Sequence, residues 1–215
     1  ETLASAGDFL HYVGHIDDGG FRCPDGVLDA ATLDEVGVDA FLLNACQSYD
    51  QGLGLIDAGA VAGITTLSDV PNEAAVGMGH TVSRLLNSGF PLRGALEVAK
   101  DEHVIGSQYV VVGDGGMTIA QPESGTAVLN EVTRIGDDTF ALDVIGFASS
   151  QSGMGSLFTP FVGDETMYHL NSGHVERYEL SAADLDEYLQ LENAPVRADG
   201  ELTWSNSVSV DDLQK

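Results

Sequence analysis

Short apolar runs alternate with helical patterns along the first half of the chain, and this alternation constrains the fold more than any other feature. The runs cover 9–13 (FLHYV), 40–45 (AFLLNA), 60–67 (AVAGITTL) and 107–116 (SQYVVVGDGG). Near-continuous apolar runs of this length are typical of strands that are buried on both faces of a parallel sheet. The segments between them predict helices over 29–37, 52–60, 71–89 and 90–103. The pattern therefore predicts an α/β domain with a three-layer parallel sheet over residues 1–117.

A different pattern begins near residue 118, within a stretch rich in glycine and proline (GGMTIAQPESG, 115–125). Short alternating segments separated by Gly, Asp and Asn are typical of antiparallel strands, and residues 136–138 (GDD) predict a hairpin turn. One helix is predicted over 181–193, with Ser181 as its N-cap. We therefore expect residues 118–215 to form a smaller β-rich accessory domain with one helix.

The charge balance of the chain is extreme. There are 34 acidic residues against 8 basic ones, which gives a net charge of −26 spread along the whole length. Such an acidic surface is typical of a halophilic protein. Salt at 1 M shortens the range of repulsion between the carboxylates to about 3 Å, so the folded chain tolerates them. The acidic surface excludes nucleic-acid binding, which needs a basic footprint. No apolar stretch reaches the roughly 18 residues of a membrane span and none resembles a signal peptide, so a cytoplasmic protein without membrane contact is expected.

Two chemically reactive side chains follow the first two apolar runs, His15 after the first and Cys46 after the second. If these strands are parallel neighbours, both side chains emerge at the carboxyl edge of the sheet, where functional groups gather. A cysteine nucleophile needs a nearby histidine to manage its proton. Glycines at 14, 19 and 20 would let backbone N–H groups approach a bound carbonyl and form an oxyanion hole. The sequence thus predicts a cysteine–histidine dyad.

Five blocks in a fixed order resemble the CHAT family of caspase-like cysteine peptidases. They are HYVGH, DGVLDAATL, VDAFLLNACQS, GLIDAGAVAGITTLSDV and YVVVGDGG, and the resemblance covers roughly residues 8–116. It implies an endopeptidase that cleaves protein or peptide substrates through an acyl-enzyme, without a metal or another cofactor. In this resemblance His15 is the general acid/base and Cys46 the nucleophile, and the backbone N–H groups of Cys46 and Ile16 form the oxyanion hole.

The same resemblance implies where the substrate lies and how activity is controlled. Residues 66–72, among them Thr66, Ser68 and Asp69, would line the substrate groove, and a regulatory protein partner would release the activity. Asn44 occupies a groove position where some relatives that cleave after basic residues carry an acid. No preference for a basic residue is therefore predicted from it, although Asp17, Asp18 and Asp50 would supply negative charge nearby. Ile16 and Ser68 also differ from the family pattern, which usually has glycine and often tryptophan there.

The resemblance also implies that the chain lacks an N-terminal half. The caspase-like fold has two strands with their helices before the histidine strand, and only about eight residues precede that strand here. Without them the run 9–13 would be an exposed apolar edge, which is a pairing hazard. We therefore expect the missing half as an upstream segment or a separate chain.

Structural roles compete with each of these assignments. A free cysteine such as Cys46 is usually a small buried hydrophobe, and His15 would then be a loop histidine. Cys23 is expected to be an incidental thiol in a loop. A zinc site from His11, His15, Cys23 and Cys46 is the least favoured alternative, because these spacings match no standard zinc pattern. The alternative function is a catalytically inactive caspase-fold interaction or regulatory module.

Overall fold

The computed structural model describes residues 2–17, 19–122, 124–163, 167–210 and 213. The chain divides into two compact units, residues 1–86 with 91–119 and residues 87–90 with 120–215. The described residues form α-helices together with parallel and antiparallel sheets, so the expected α/β class is confirmed. Among the helices described, none is both long and apolar enough to cross a membrane.

The first unit contains the main sheet. Its elements are β1 (Gly7–Val13), β2 (Ile16–Asp17), β3 (Gly20–Cys23), β4 (Gly26–Leu28), β5 (Val38–Asn44), α1 (Tyr49–Asp57), β6 (Ala62–Thr66), α2 (Asn72–Asn87), α3 (Leu92–Glu102) and β7 (Tyr109–Gly113). The strand order in the main sheet is β1-β5-β6-β7. The pairs β1–β5 and β5–β6 are parallel, as predicted.

The prediction of an all-parallel sheet is wrong at β7, which pairs antiparallel with β6. Two helices, α2 and α3, lie between these strands in the chain. One helix carries the chain back along the sheet and the second returns it to the edge where β6 ended. The first residue of β7, Tyr109, accordingly pairs with Thr66, the last residue of β6.

The segment from β1 to residue 37 differs from its sequence pattern in three ways. β1 is an edge strand and is not buried on both faces; Val13 on it is 63% exposed. The Asp- and Gly-rich stretch that follows is not a plain loop, because β2, β3 and β4 form a small antiparallel sheet. The helix predicted over 29–37 is a single 3-10 turn, Ala30–Thr32, which ends because Leu33 is already extended.

Helices cover both faces of the main sheet. On α1, a Cβ added to Gly52 would lie 2.3 Å from Cγ2 of Thr65, and the next nearest atom belongs to the Phe41 ring. On α2, a Cβ added to Gly79 would lie 2.8 Å from Nδ2 of Asn44. Phe41 and Asn44 are an odd number of residues apart on β5, so they point to opposite faces. Both helices approach the sheet closely because glycine has no side chain there.

The second unit is built on a five-stranded sheet of order β12-β9-β8-β13-β14. Its elements are β8 (Ala127–Arg134), β9 (Thr139–Phe147), β10 (Leu157–Phe158), β11 (His169–Leu170), β12 (His174–Ser181), α4 (Ala182–Leu189), β13 (Pro195–Ala198) and β14 (Glu201–Trp204). β10 and β11 pair with each other. The predicted hairpin turn joins β8 to β9, where the N–H groups of Ile135 and Gly136 donate to the carbonyl of Thr139.

One helix packs against this sheet to form the core of the second unit. Ser181 caps α4 as predicted, because its Oγ accepts a hydrogen bond from the N–H of Asp184. Leu185 and Leu189 of α4 pack into a cluster with side chains of β9 such as Leu142. The helix ends at Leu189, earlier than the predicted residue 193.

Candidate functional site

The strand register places His15 and Cys46 level with each other. β1 and β5 are parallel neighbours, and their last paired residues are Val13 and Asn44. His15 and Cys46 each follow two residues after those positions, at the carboxyl edge of the sheet. The two candidate residues are thus brought to the same edge by the pairing of the strands that precede them.

Cys46 is half-buried, and the backbone of Val70 fixes its side chain. The N–H of Val70 approaches the sulfur to 3.4 Å, and the sulfur lies 3.8 Å from the carbonyl oxygen of the same residue. Val70 belongs to the segment between β6 and α2, and it is itself buried. The thiol therefore lies between the end of β5 and the segment predicted to form the substrate groove.

The residue after Cys46 adopts an unusual backbone conformation. Gln47 has φ = 51°, in the left-handed region that non-glycine residues seldom adopt. Its N–H donates to the carbonyl of Ser68 at 3.2 Å, and its Nε2 donates to Oδ1 of Asp69 at 3.1 Å. Strained residues of this kind cluster at functional sites, where surrounding contacts maintain them. Here Ser68 and Asp69 stabilise the turn that presents Cys46.

A second set of hydrogen bonds, made by buried side chains, stabilises the same turn. Ser48 and Thr66 are fully buried. The Thr66 hydroxyl donates to the carbonyl of Ala45 and accepts the Ser48 N–H at 3.2 Å, while Ser48 Oγ donates to the carbonyl of Leu43 at 3.1 Å. Thr66 was predicted to line the substrate groove, but its burial argues against contact with a substrate. Its hydroxyl instead joins β6 to the turn between β5 and α1.

Asn44 is also buried, which argues against its predicted role in substrate binding. Its Nδ2 donates to the carbonyl of Ala75 at 2.7 Å, and its Oδ1 accepts the Tyr109 hydroxyl at 2.6 Å. Burial, with a smaller contribution from Cys46, raises the pKa of Tyr109 to about 12. The phenol therefore stays a neutral donor, and Asn44 joins β5 to α2 and β7.

His15 is held through its backbone and presents an exposed side chain. Its carbonyl accepts the Tyr12 hydroxyl at 2.9 Å and the N–H of Arg22 at 3.1 Å. Within the described part of the chain, no hydrogen bond joins the imidazole to Cys46. His11 is partly covered by α2 near Gly79, and this burial lowers its pKa.

The two backbone N–H groups predicted to form an oxyanion hole have no hydrogen-bond partner among the described residues. Because Arg22 donates to the carbonyl of His15, Ile16 faces Phe21 as a non-hydrogen-bonded pair, and its N–H points away from β3. For the N–H of Cys46, the described residues offer no hydrogen-bond acceptor. Both groups are thus available for a ligand.

Two described aspartates lie on the elements next to the candidate residues, and one of them is paired. Asp17 lies 3.5 Å from the guanidinium of Arg22, and both side chains are largely exposed. Asp50 lies in the first turn of α1 and is exposed. Asp18, which was predicted to supply charge here, lies outside the described residues.

The two cysteines are free thiols. Cys23 is not in a loop as predicted: it ends β3 and is half-buried. In the described ranges, no three or more His, Cys, Asp or Glu side chains come close enough to hold a metal ion. The described residues therefore do not assemble the alternative zinc site.

Gln51 is a residue of this region that the sequence patterns did not single out. It lies on α1, is 5% exposed, and accepts the N–H of Ala30 on its Oε1 at 2.8 Å. Its Nε2 donates to Oδ1 of Asp29 at 3.1 Å and to the carbonyl of Gly19. Gln51 thereby ties the helix after Cys46 to the small sheet after His15. The sequence signal that could have identified Gln51 is its position on the buried face of α1, next to Gly52 and Leu55, where a polar side chain needs hydrogen-bond partners.

Comparison with known proteins assigns no family to the chain. No protein-family model matches it. A search of curated proteins likewise finds no similar sequence.

Proposed function

We propose that the first unit is a caspase-like cysteine endopeptidase of the CHAT type. Cys46 Sγ attacks the carbonyl carbon of a peptide bond, and the N–H groups of Cys46 and Ile16 stabilise the oxyanion. His15 takes the thiol proton and delivers it to the leaving amine as the C–N bond breaks. Water then attacks the thioester, which releases the carboxylic acid and restores the thiol.

The observation that carries this proposal is the register of β1 and β5. It sets His15 and Cys46 level at one edge of the sheet, after a shared end at Val13 and Asn44. The left-handed conformation of Gln47, directly after Cys46, adds support, because strained backbone of this kind clusters at functional sites. The two available N–H groups are the third supporting feature.

Within this proposal, the substrate lies against residues 67–72. Leu67 is 52% exposed and Asp69 is also exposed, so both are accessible to a peptide. Ser68 is half-buried and its Oγ donates to Gln108 at 2.5 Å, so it contributes mainly through its backbone. Asn44 and Thr66 are buried and stabilise the strand ends and the turn next to Cys46 through hydrogen bonds.

The proposed peptidase would act with partner polypeptides in a cytoplasmic, high-salt environment. The edge strand β1 leaves one side for a further strand, which we assign to a partner, either another segment of the polypeptide or a separate chain. A regulatory protein partner would act on the assembled domain. A cytoplasmic setting agrees with two unpaired cysteines, and a halophilic one with the net charge of −26.

A specific observation favours a second candidate, a non-catalytic interaction module with the same fold. The imidazole of His15 makes no hydrogen bond to Cys46 within the described residues, and the Cys46 sulfur is engaged by Val70. In such a module the exposed edge of β1 would serve as the binding surface.

Peptide cleavage in high salt separates the two candidates. The wild-type protein and Cys46→Ser are incubated with an unfolded protein such as reduced casein, and the fragments are identified by mass spectrometry. The peptidase proposal expects fragments from the wild type and none from Cys46→Ser, with Cys23→Ser as the matched thiol control. No fragments from the wild type would favour the interaction module, and fragments that persist in Cys46→Ser would contradict Cys46 as the nucleophile.

A further inference from the structure

The second unit contains a cavity of about 590 Å³ that the proposed peptidase does not use. This volume lies within the usual range of small-molecule sites, roughly 300–1,000 Å³. The cavity lies beside α4, and apolar side chains from three parts of the unit line it: Val128 of β8, Phe158 of β10 and Leu189 of α4. An apolar body of about the size of an aromatic ring with a short chain fits these walls.

The polar lining of the cavity carries one sign of charge. Asp184, Glu187 and Glu192 contribute carboxylates, and no Lys, Arg or His is among the described residues that line the cavity. Asp184 accepts a hydrogen bond from the Ser181 hydroxyl. Glu192 accepts the N–H and the hydroxyl of Ser124 at 3.0 and 3.2 Å. These internal bonds fix two of the carboxylates in place.

Glu187 differs from the other two carboxylates. Among the described residues its carboxylate has neither a hydrogen-bond nor an ion-pair partner, and it lines the cavity from α4. Glu187 is exposed, so its attraction for a cation is that of a surface ion pair, up to about 1 kcal/mol. Glu187 is thus the group that is free to pair with a bound cation.

Phe161 provides an independent indication of binding at the same cavity. It lines the cavity, its side chain is 57% exposed, and its φ is 57°. A left-handed conformation is a true outlier for a bulky residue, and strain of this kind often marks ligand contacts. An exposed aromatic face near carboxylates can attract a cation through its ring electrons.

We propose that this cavity binds an organic cation with an apolar body, an ammonium or guanidinium group joined to an aromatic or aliphatic chain. The apolar part packs against Val128, Phe158 and Leu189, and the cation lies between Glu187 and the ring of Phe161. The cation is either a free amine or the side chain of a peptide. This site does not depend on the peptidase proposal, because none of its residues belongs to the first unit.

Three probes with the same phenylethyl body test the charge requirement by calorimetric titration of the full chain. They are phenethylammonium, 2-phenylethanol and 3-phenylpropanoate, and the capped dipeptide Ac-Phe-Arg-NH2 represents the peptide source. We expect phenethylammonium to bind about 5-fold tighter than the alcohol, since an exposed ion pair contributes up to about 1 kcal/mol, and the anion not to bind. Whichever cationic probe binds more tightly identifies the source.

Matched variants locate the binding in this cavity. Glu187→Gln should weaken phenethylammonium binding about 5-fold, whereas Asp186→Asn, on the same helix and with the same change in net charge, should alter it less than 2-fold. Phe161→Gly should weaken binding about 2- to 5-fold without loss of stability, because glycine accepts this φ. Equal binding of all three phenylethyl probes, no binding at millimolar concentration, or equal losses in Glu187→Gln and Asp186→Asn would overturn the proposal.

Discussion

At the scale of single residues, the candidate site is shaped by side chains that do not themselves carry chemistry. Asn44 joins three elements, because it bonds to the carbonyl of Ala75 on α2 and to the hydroxyl of Tyr109 on β7. It lies two residues before Cys46 in the chain. Its amide therefore sets where β5 ends relative to its neighbours, and so where the thiol emerges.

We predict that Asn44→Ala lowers the free energy of unfolding by about 2 kcal/mol, because the buried Ala75 carbonyl and Tyr109 hydroxyl lose their partner. Tyr109→Phe is the matched control, which removes a single hydrogen bond and should cost about 1 kcal/mol. Urea unfolding of the wild type and both variants measures these two losses in the free energy of unfolding. If Asn44→Ala left stability unchanged but altered peptide binding, the original substrate-binding assignment of Asn44 would be right instead.

The sequence predicted that His15 and Cys46 follow two neighbouring strands, because each comes within two residues of the end of an apolar run, and the register of β1 and β5 sets them level. It did not show that Asn44 and Thr66 are buried. Their burial depends on α2 and on the antiparallel β7, which are distant in sequence. A polar residue at a strand end has the same local pattern whether it faces a substrate or supports the strand.

At the scale of elements, the small sheet β2–β4 is attached to α1 through Gln51. The side chain of Gln51 bonds to Gly19 in the β2–β3 turn and to Asp29 and Ala30 after β4. The small sheet begins one residue after His15, and α1 begins three residues after Cys46. Gln51 thus couples the two segments that flank the candidate residues.

We predict that Gln51→Ala loosens this attachment. Hydrogen exchange over Gly20–Leu28 should become about tenfold faster, because the loss of buried hydrogen bonds costs about 1–3 kcal/mol. Gln190→Ala is a matched control, since Gln190 also bonds to an aspartate, Asp186, but at the exposed end of α4. Unchanged exchange over Gly20–Leu28 in Gln51→Ala would show that other contacts hold the small sheet.

Charges form a row across the sheet of the second unit. Glu131 and Asp143 lie directly opposite each other on β8 and β9, where like charges repel. Arg197 on β13 pairs with Glu131 at 2.7 Å, and Arg177 on β12 pairs with Asp143 at 2.7 Å. His174 also bonds to Asp143 at 2.9 Å. The two acids thus lie side by side in the middle of the row, and each has an arginine on its outer side.

This row predicts a pH dependence of stability. The Arg177 hydrogen bonds, with further help from His174, lower the pKa of Asp143. Its contribution is therefore fully present above the unfolded pKa of about 3.9 and is lost as pH falls through the lower folded pKa. Asp143→Asn should cost about 1–2 kcal/mol at pH 7. The difference from the wild type should shrink below about pH 4, and a difference independent of pH from 7 to 2 would contradict this.

Most elements could be predicted from periodicity, and the exceptions have local causes. The prediction of a helix over 29–37 was wrong because Asp29 caps only a single 3-10 turn, which ends where Leu33 adopts an extended conformation. The direction of β7 could not be predicted from its own residues, since it depends on the two helices before it. The N-cap at Ser181 was predictable because its bond to Asp184 is local.

At the scale of the whole molecule, self-repulsion opposes folding. A net charge of −26 on 215 residues destabilises any compact state unless salt screens it. This expectation follows from composition alone, because it requires no knowledge of the fold. Screening acts on every exposed carboxylate, so the effect belongs to the chain and not to one residue.

We predict that the urea midpoint of unfolding rises steadily as KCl increases from 0.2 to 2 M. Salt shortens the range of repulsion between the acidic groups, from about 10 Å at 0.1 M to about 3 Å at 1 M. Repeating the titration with NaCl should give the same trend if screening is the cause. A midpoint that is independent of both salts would contradict the halophilic interpretation.

The central claim is that His15 and Cys46 act as a pair at the sheet edge, and the alkylation rate of Cys46 tests it most directly. The protein is treated with a peptidyl acyloxymethyl ketone in high salt, and adducts on Cys46 and Cys23 are quantified by mass spectrometry. We expect Cys46 to react at least tenfold faster than Cys23, and this advantage to disappear in His15→Ala while the fold is kept. Equal, slow labelling of the two thiols, unaffected by His15→Ala, would contradict the dyad.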